Sequence, residues 1–561
     1  MHQEKSQTKD TTKYVFVTGG VISGLGKGIS TASIAQIIKS YGYKVSVLKV
    51  DMYLNLDAGT INPLEHGEVF VTDDGIETDQ DLGNYERFLN QDMHRHNYMT
   101  MGQVYYDVIT RERQLAYEGE DVEGHVHIPK EIIRRIKDTA QKDEADVMFI
   151  EVGGTVGEYQ NVMFFEAIRR LKQSHPHTYI MHLVYLIKPE FLGEVKSKPA
   201  QSSIYELYKL GLQPDFVICR SKDPIDAKKR SLMSYNAGIP DEHIISAPDV
   251  PTIYEIPLIF REQDLGNRLL DKMGLKANKS DSSEWFNFVT KTKSVTKTVD
   301  IAVVGKYFKI GDSSILEDAY VCVIEAIKHA SWQLGAKPNI QWFDVARFED
   351  ETESTKIKKE LAEYAGIIVP QGWGSRGVEG KIKTVNYARE NKVPYLGLCF
   401  GMQMSVIEYS RNVLGLADAN SIEVDPTTSA PVIHIMEEQK EFMENKQYGG
   451  TIRLGGWPCK LVEGTQLHKL YKKYGADSIV DGVVSERHRH RYEFNNDYRK
   501  QLEKAGLVVS GTSPDGNLVE AIELPKSIHP FFVGTQYHPE YKSRPIQPHP
   551  LFLGFIEACL K

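Results

Sequence analysis

The chain has 561 residues, a net charge of −9, 41% hydrophobic and 25% charged residues, and it exceeds the ~250–300 residues that one hydrophobic core supports, so two or more domains are expected. The acidic balance excludes general affinity for nucleic acid, whose phosphates demand a basic surface, and no apolar run approaches the ~20 residues of a membrane-spanning helix. Cys219, Cys322, Cys399, Cys459 and Cys559 form no CxxC pair, so neither a disulfide framework nor a structural zinc site is expected.

In chain order, the polar residues 1–12 read as a disordered tail on a cytoplasmic protein. Residues 14–17 are strand-like, a glycine-rich turn follows, and residues 29–40 have the apolar spacing of a helix. Strand-like runs recur at 44–49, 146–150, 179–187 and 216–219, with helical stretches such as 130–139 and 164–172 between them. That alternation predicts a mostly parallel sheet covered on both faces. Residues 276–297 turn polar, and Trp285, Phe286 and Phe288 inside them mark a docked linker. The alternation then restarts: strand 300–304, helix 319–330, strand 366–369, helix 378–389, strand 395–398. The expected fold is α/β, with two doubly wound parallel-sheet domains at 13–275 and 298–561.

The first candidate site is VTGGVISGLGKGIS, residues 17–30. Glycines let backbone N–H groups converge on phosphate oxygens, the helix N-terminus adds its positive dipole end, and Lys27 supplies a full charge. The turn reads as a nucleotide-triphosphate cradle. It departs from the strict P-loop spacing, and Gly28 stands where Ser or Thr would meet magnesium. Carboxylates elsewhere must therefore hold the metal, and Asp81 and Glu151 are the candidates.

The second site is YLGLCFGMQ, where Cys399 lies between a buried strand and a helix in the manner of a nucleophile elbow. Near the C-terminus, TQYHPE places His538 two residues before Glu540, and a strand there would turn both side chains to one face. His538 could then take the thiol proton while Glu540 orients the ring. The run ERHRHRYE, residues 486–493, reads as a basic solvated face.

YVFVTGGVISGLGKG, LKVDMYLNLDAGTINPLEHGEVFVTDDGIETDQDLGNYERF, EVGGTVGE and GEVKSKPAQSS resemble, in order, the signatures of the synthetase domain of the CTP synthase family. Cys399 followed much later by His538-x-Glu540 resembles the class I glutamine amidotransferases. The resemblance runs from Lys13 through nearly the whole chain. It implies ATP-dependent amination of UTP at C4 to CTP through a 4-phosphorylated intermediate, with ammonia from L-glutamine and Mg2+ as the metal. It also implies activation by GTP, inhibition by CTP, and a homotetramer able to form filaments.

By the same resemblance, ATP lies on Gly24, Leu25, Gly26, Lys27, Gly28, Ile29, Asp81, Asp249 and Val250. Lys27 and Lys49 lie near the transferring phosphate, and Asp81 and Glu151 on Mg2+. UTP or CTP falls on Ser23, Glu158, Tyr159, Gln160, Lys196, Ser197, Lys198 and Gln201. Glutamine falls on Gly372, Phe400, Gly401, Met402, Gln403, Glu423 and Arg491, with the N–H groups of Gly372 and Phe400 as the oxyanion hole. Arg453, in GTIRLG, lies in a segment linked to GTP activation and ammonia transfer.

The sequence departs from the family pattern in several places. Gln371 replaces the first glycine of the amidotransferase loop, and Phe400 replaces a usual Leu. Gln160 replaces an acid, Leu232 stands in place of a UTP-contacting lysine with Arg230 nearby, and the lid-like stretch ERQLAYEGEDVEGHVHIP is longer than usual. An alternative is a paralogue that aminates another pyrimidine nucleotide.

Overall fold

Seven parallel strands form the sheet of the first unit in the computed structural model, which describes residues 10–20, 22–62, 67–189, 195–278, 281–306, 317–349, 351–445, 447 and 449–561. They are β1 (Lys13–Gly19), β2 (Val45–Asp51), β3 (Tyr98–Thr100), β4 (Val147–Val152), β5 (Thr178–Tyr185), β6 (Phe216–Ser221) and β7 (Ile244–Pro248), in the order β3-β2-β4-β1-β5-β6-β7. Their near-continuous apolar runs are buried, as a parallel sheet covered on both faces requires. On one face Tyr14, Phe16, Leu48 and Ile150 pack against Ile128, Ile132, Phe164 and Ile168. The strand order reverses beside β1, so the crevice beyond the carboxyl ends of β1 and β4 is where such a sheet receives a ligand.

This unit comprises Met1–Leu56 and Asn84–Val289. Of the expected tail, residues 1–9 lie outside the described residues. Asp10 and Thr12 are tied down: the Tyr14 hydroxyl donates to Asp10 at 3.0 Å, and Thr12 donates to the Ala145 carbonyl at 3.2 Å. Within the expected linker a helix forms, Ser283–Ser294, and Trp285 is buried with its indole N–H on the Tyr254 carbonyl at 3.0 Å. Phe286 is exposed.

The second unit comprises Asp57–Gly83 and Thr290–Lys561. Its main strands are β8 (Lys297–Gly305), β9 (Ala336–Asp344), β10 (Gly366–Val369), β11 (Tyr395–Leu398), β12 (Arg453–Leu461), β13 (Val483–His490), β14 (Val508–Thr512), β15 (Val519–Glu523) and β16 (Phe532–Thr535), in the order β9-β8-β10-β11-β16-β15-β14-β12-β13. The first five pair in parallel and the remainder antiparallel, so the sheet is mixed rather than doubly wound throughout. A hydrophobic core covers each face.

Residues 57–83 fall within the expected N-terminal domain by sequence but pack with the second unit. Their hairpin, Phe70–Val71 against Glu77–Thr78, is anchored by acids on the basic run of β13. Asp73 bonds Arg487 and lies 3.1 Å from Lys542, Arg489 donates to Glu77 at 2.8 Å, and the Tyr541 hydroxyl donates to the Val69 carbonyl at 2.9 Å. Burial alone would raise the Asp73 pKa, but Arg487 and Lys542 outweigh it and hold it down to about 2. The run read as a solvated face is therefore internal: Arg487 and His488 are 0% exposed. No helix among the described residues is long and apolar enough to cross a membrane.

Candidate active site

In the first unit the turn after β1 leads into α1 (Lys27–Ser40). Gly24 and Gly26 adopt φ of 69° and 88°, left-handed values that a side chain would strain. They let the chain fold back so that the helix N-terminus faces the crevice, while Ser23 and Gly24 stay exposed. Lys27 lies in the first turn, buried, with its amine on the Gly154 carbonyl at 2.7 Å. Behind the loop His182 is locked between the Thr18 hydroxyl at 2.8 Å and the Ser203 hydroxyl at 2.6 Å. Burial, then the charge of Lys27, lowers the His182 pKa to about 3, so the ring is neutral. A Cβ at Gly20 would lie 1.7 Å from the Ser203 oxygen. His182 and Ser203 thus hold the loop in place, and nothing in their local sequence marks them.

Lys49 is buried at the end of β2, 3.2 Å from Glu151 and 3.7 Å from Asp51, and the Tyr85 hydroxyl donates to Glu151. Among the described residues no group of three or more His, Cys, Asp or Glu could hold a metal ion unaided. Magnesium that arrives on nucleotide phosphates needs only one or two carboxylates, and Glu151 with Asp51 fits that need. Asp81 opens the helix Asp81–Leu89, and its assignment to Mg2+ rests on the resemblance. Asp249 and Val250 follow β7, where Asp249 takes Arg220 at 2.7 Å.

Of the expected pyrimidine-nucleotide residues, Glu158 turns back onto the Thr155 N–H at 2.9 Å, whereas Tyr159 is 92% exposed. The Gln201 amide donates to the Ser197 hydroxyl at 3.0 Å at the start of the helix Lys198–Lys209, with Lys196 just before it. Arg230, near Leu232, is committed to the Ile244 carbonyl.

In the second unit, Cys399 joins β11 to the helix Phe400–Asn412 with φ 50° and ψ −100°. That conformation is sparsely populated for a non-glycine residue, and strain of this kind concentrates at functional sites. The helix can approach the sheet because residue 401 is glycine: a Cβ there would lie 2.0 Å from the Val369 carbonyl oxygen. His538 and Glu540 do not extend strand β16 as expected. Pro539 starts the 3-10 turn Pro539–Lys542 immediately after His538, and the turn still brings the pair together, Nδ1 to the Glu540 carboxylate at 2.7 Å. Burial alone would depress the His538 pKa, but the charges of Glu540 and Cys399 push it up to about 10. Among the described residues, Nε2 has no partner within hydrogen-bond distance.

A pocket beside the elbow is lined by Cys399, His538, Gly372, Phe400, Gln403, Glu423 and Arg491 among others. The Gln403 carbonyl oxygen is buried, and among the described residues it has no hydrogen-bond partner. Glu423 accepts the Gly374 N–H at 2.7 Å, and Arg491 donates to Gln439 at 2.8 Å. Burial raises the Glu423 pKa, opposed by that N–H and by Lys306. Gly401 and Met402 do not line the pocket: Gly401 sits against Val369, and Met402 is 0% exposed in the core.

Two lysines that the sequence did not single out support the loop 370–374. Lys306 donates to the Trp373 and Gly374 carbonyls at 3.0 and 2.6 Å, and Lys381 to the Pro370 carbonyl at 2.6 Å. Both amines lie over the Phe400 ring, at 4.2 and 5.2 Å from its centre. Burial lowers the Lys306 pKa to about 8, and burial with the charge of Lys306 lowers that of Lys381 well below the ordinary value. Gln371, which replaces a glycine, has no positive φ and donates to Glu68 at 2.7 Å. Arg453 turns inward to Glu520 at 2.7 Å.

A strained cysteine elbow facing a His–Glu pair on a mixed α/β sheet defines a class I glutamine amidotransferase site, and residues 315–558 match the family described as "Glutamine amidotransferase class-I". Residues 13–275 match the family described as "CTP synthase N-terminus". The CTP synthase of Carboxydothermus hydrogenoformans is 48% identical over 552 residues, 98% of this chain and 99% of that one. The CTP synthase of Bacillus velezensis is 45% identical over 552 residues, again 98% and 99%. The solved structure "Trypanosoma brucei CTPS - glutaminase domain with bound acivicin" is 36% identical and covers 47% of this chain and 94% of that one, with a TM-score of 0.42. The chain belongs to the CTP synthase family.

Proposed function

We propose that this chain makes CTP from UTP, ATP and L-glutamine, with the second unit as the ammonia source. The observation that carries the reading is the elbow cysteine beside a histidine whose charge is maintained by a buried carboxylate. Imidazolium at His538 pairs with the deprotonated sulfur of Cys399, which attacks the carboxamide carbon of glutamine. The N–H groups of Gly372 and Phe400 would receive the oxyanion. His538 passes its proton to the departing ammonia, leaving a γ-glutamyl thioester. Neutral His538 then draws a proton from water, which attacks the thioester and releases glutamate. Gln403, Glu423 and Arg491 would hold the α-ammonium and α-carboxylate of the substrate.

In the first unit the Gly-rich turn, Lys27 and Lys49 would hold the ATP phosphates while the γ-phosphoryl group passes to O4 of UTP, a transfer governed by positioning and charge neutralisation. Ammonia adds at C4 and phosphate leaves, giving CTP. Glu151 would hold the Mg2+ that neutralises the transferring phosphoryl group. Ser23, Lys196 and Lys198 would hold UTP, with GTP as activator and CTP as inhibitor, a reading supported by the resemblance. The reading extends to a homotetramer of cytoplasmic pyrimidine synthesis. Incubation with UTP, ATP and Mg2+ plus glutamine or ammonium, with and without GTP, tests it: CTP is the expected product. Absence of CTP with either nitrogen source would favour a paralogue that aminates another pyrimidine nucleotide.

A further inference from the structure

The orientation of one amide beside Cys399 follows from its neighbours. The Tyr492 carbonyl can only accept, so Gln403, 2.8 Å away, presents its NH2 group there. The same NH2 lies 3.2 Å from the side-chain oxygen of Gln536. Gln536 therefore offers its oxygen to Gln403 and its own NH2 to the other side, where the Cys399 sulfur lies 3.5 Å away. The opposite rotation would set NH2 against NH2 and oxygen against sulfur. Gln536 is 1% exposed, and its backbone N–H is bound to the Glu520 carbonyl at 2.8 Å.

We propose that Gln536 is a further catalytic residue of the glutaminase, donating a hydrogen bond from Nε2 to the Cys399 sulfur, with Gln403 fixing its orientation. The proposal rests on the reading of Cys399 as nucleophile. A donor to the charged form of a group favours that form, so Gln536 stabilises the thiolate and fixes the direction of attack. It divides the work with His538, whose proton must leave for ammonia while the Gln536 donor stays in place. Gln403 lines the pocket, and among the described residues its oxygen has no hydrogen-bond partner, so a bound α-ammonium that reached it would polarise the chain Gln403–Gln536–Cys399 from its far end.

The test is the pH dependence of Cys399 alkylation by iodoacetamide in the full chain, followed by peptide mass, in wild type, Gln536→Met and Gln536→Glu. Met keeps the volume without the donor. Its reactivity midpoint is expected to rise by about one pH unit, with Cys399 reacting about tenfold more slowly at pH 7. Gln536→Glu keeps the acceptor for Gln403, adds negative charge beside the sulfur, and is expected to shift further. Gln536→Leu, which likewise lacks the donor and adds no charge, carries the test if the Met variant does not fold. The kcat for glutamine hydrolysis should fall in parallel while KM changes little. A midpoint equal to wild type in the uncharged variant, or a raised KM with unchanged kcat, would overturn the proposal. Wild-type Cys399 reacting as an ordinary surface thiol would instead overturn the nucleophile reading itself.

Discussion

Replacing Gly401 by alanine perturbs the glutaminase through geometry alone. The added Cβ would lie 2.0 Å from the Val369 carbonyl oxygen and 3.0 Å from its carbon, whereas real Cβ contacts essentially never fall below 3.0 Å. Both obstacles are backbone, and the Gly401 carbonyl is pinned by the Tyr395 and Ser405 hydroxyls at 3.0 and 2.9 Å. The start of the helix must therefore retreat by about 1 Å, carrying the Phe400 N–H and Cys399 with it, and a misplacement of that size costs roughly 100-fold in rate. Overpacking adds about 1–3 kcal/mol of destabilisation. Glutamine-dependent CTP formation should fall by roughly 100-fold or more, while ammonium-dependent formation stays within about twofold of wild type. The assay is CTP production by chromatography with each nitrogen source, alongside a thermal melt. A glutamine-dependent rate within about threefold of wild type would refute the reasoning.

Glu540→Gln removes the charge that opposes burial at His538, so its pKa should drop from about 10, and the alkaline limb of the glutaminase pH profile should move down with it. The raised value contributes stability that is complete below the unfolded pKa of ~6.5 and fades as pH rises towards 10. The melting deficit of Glu540→Gln should accordingly be largest near pH 6 and shrink on the alkaline side, as calorimetry across that range would show. Lys27→Met should lower CTP formation from both glutamine and ammonium by about 10²–10³-fold, the usual cost of losing one charge-stabilising donor, while glutamine hydrolysis continues. Retained ammonium-dependent synthesis would remove Lys27 from the phosphate site.

The sites were legible wherever chemistry is carried by local spacing. Five glycines and Lys27 after a buried strand announce a tight turn into a helix, and Cys399 between a strand and a helix announces an elbow, because both depend on backbone turns written into adjacent residues. The antiparallel half of the second sheet was not legible, since β12 and β13 carry polar and charged residues that a strand reading would place in solvent. The burial of Arg487 and Arg489 in β13 depends on Asp73 and Glu77, more than 400 positions away, and no local pattern encodes that pairing. Proline decided the geometry after His538, where a turn replaced the expected strand and yet kept the ring on Glu540. His182, Lys306, Lys381 and Gln536 escaped notice because a lone histidine, lysine or glutamine carries no signal until the fold surrounds it.

The most direct measurement is CTP formation by Cys399→Ala with UTP, ATP and Mg2+, supplied with glutamine in one reaction and ammonium in the other. No CTP is expected from glutamine, and an essentially wild-type rate from ammonium. CTP from glutamine, or loss of both activities together, would contradict this.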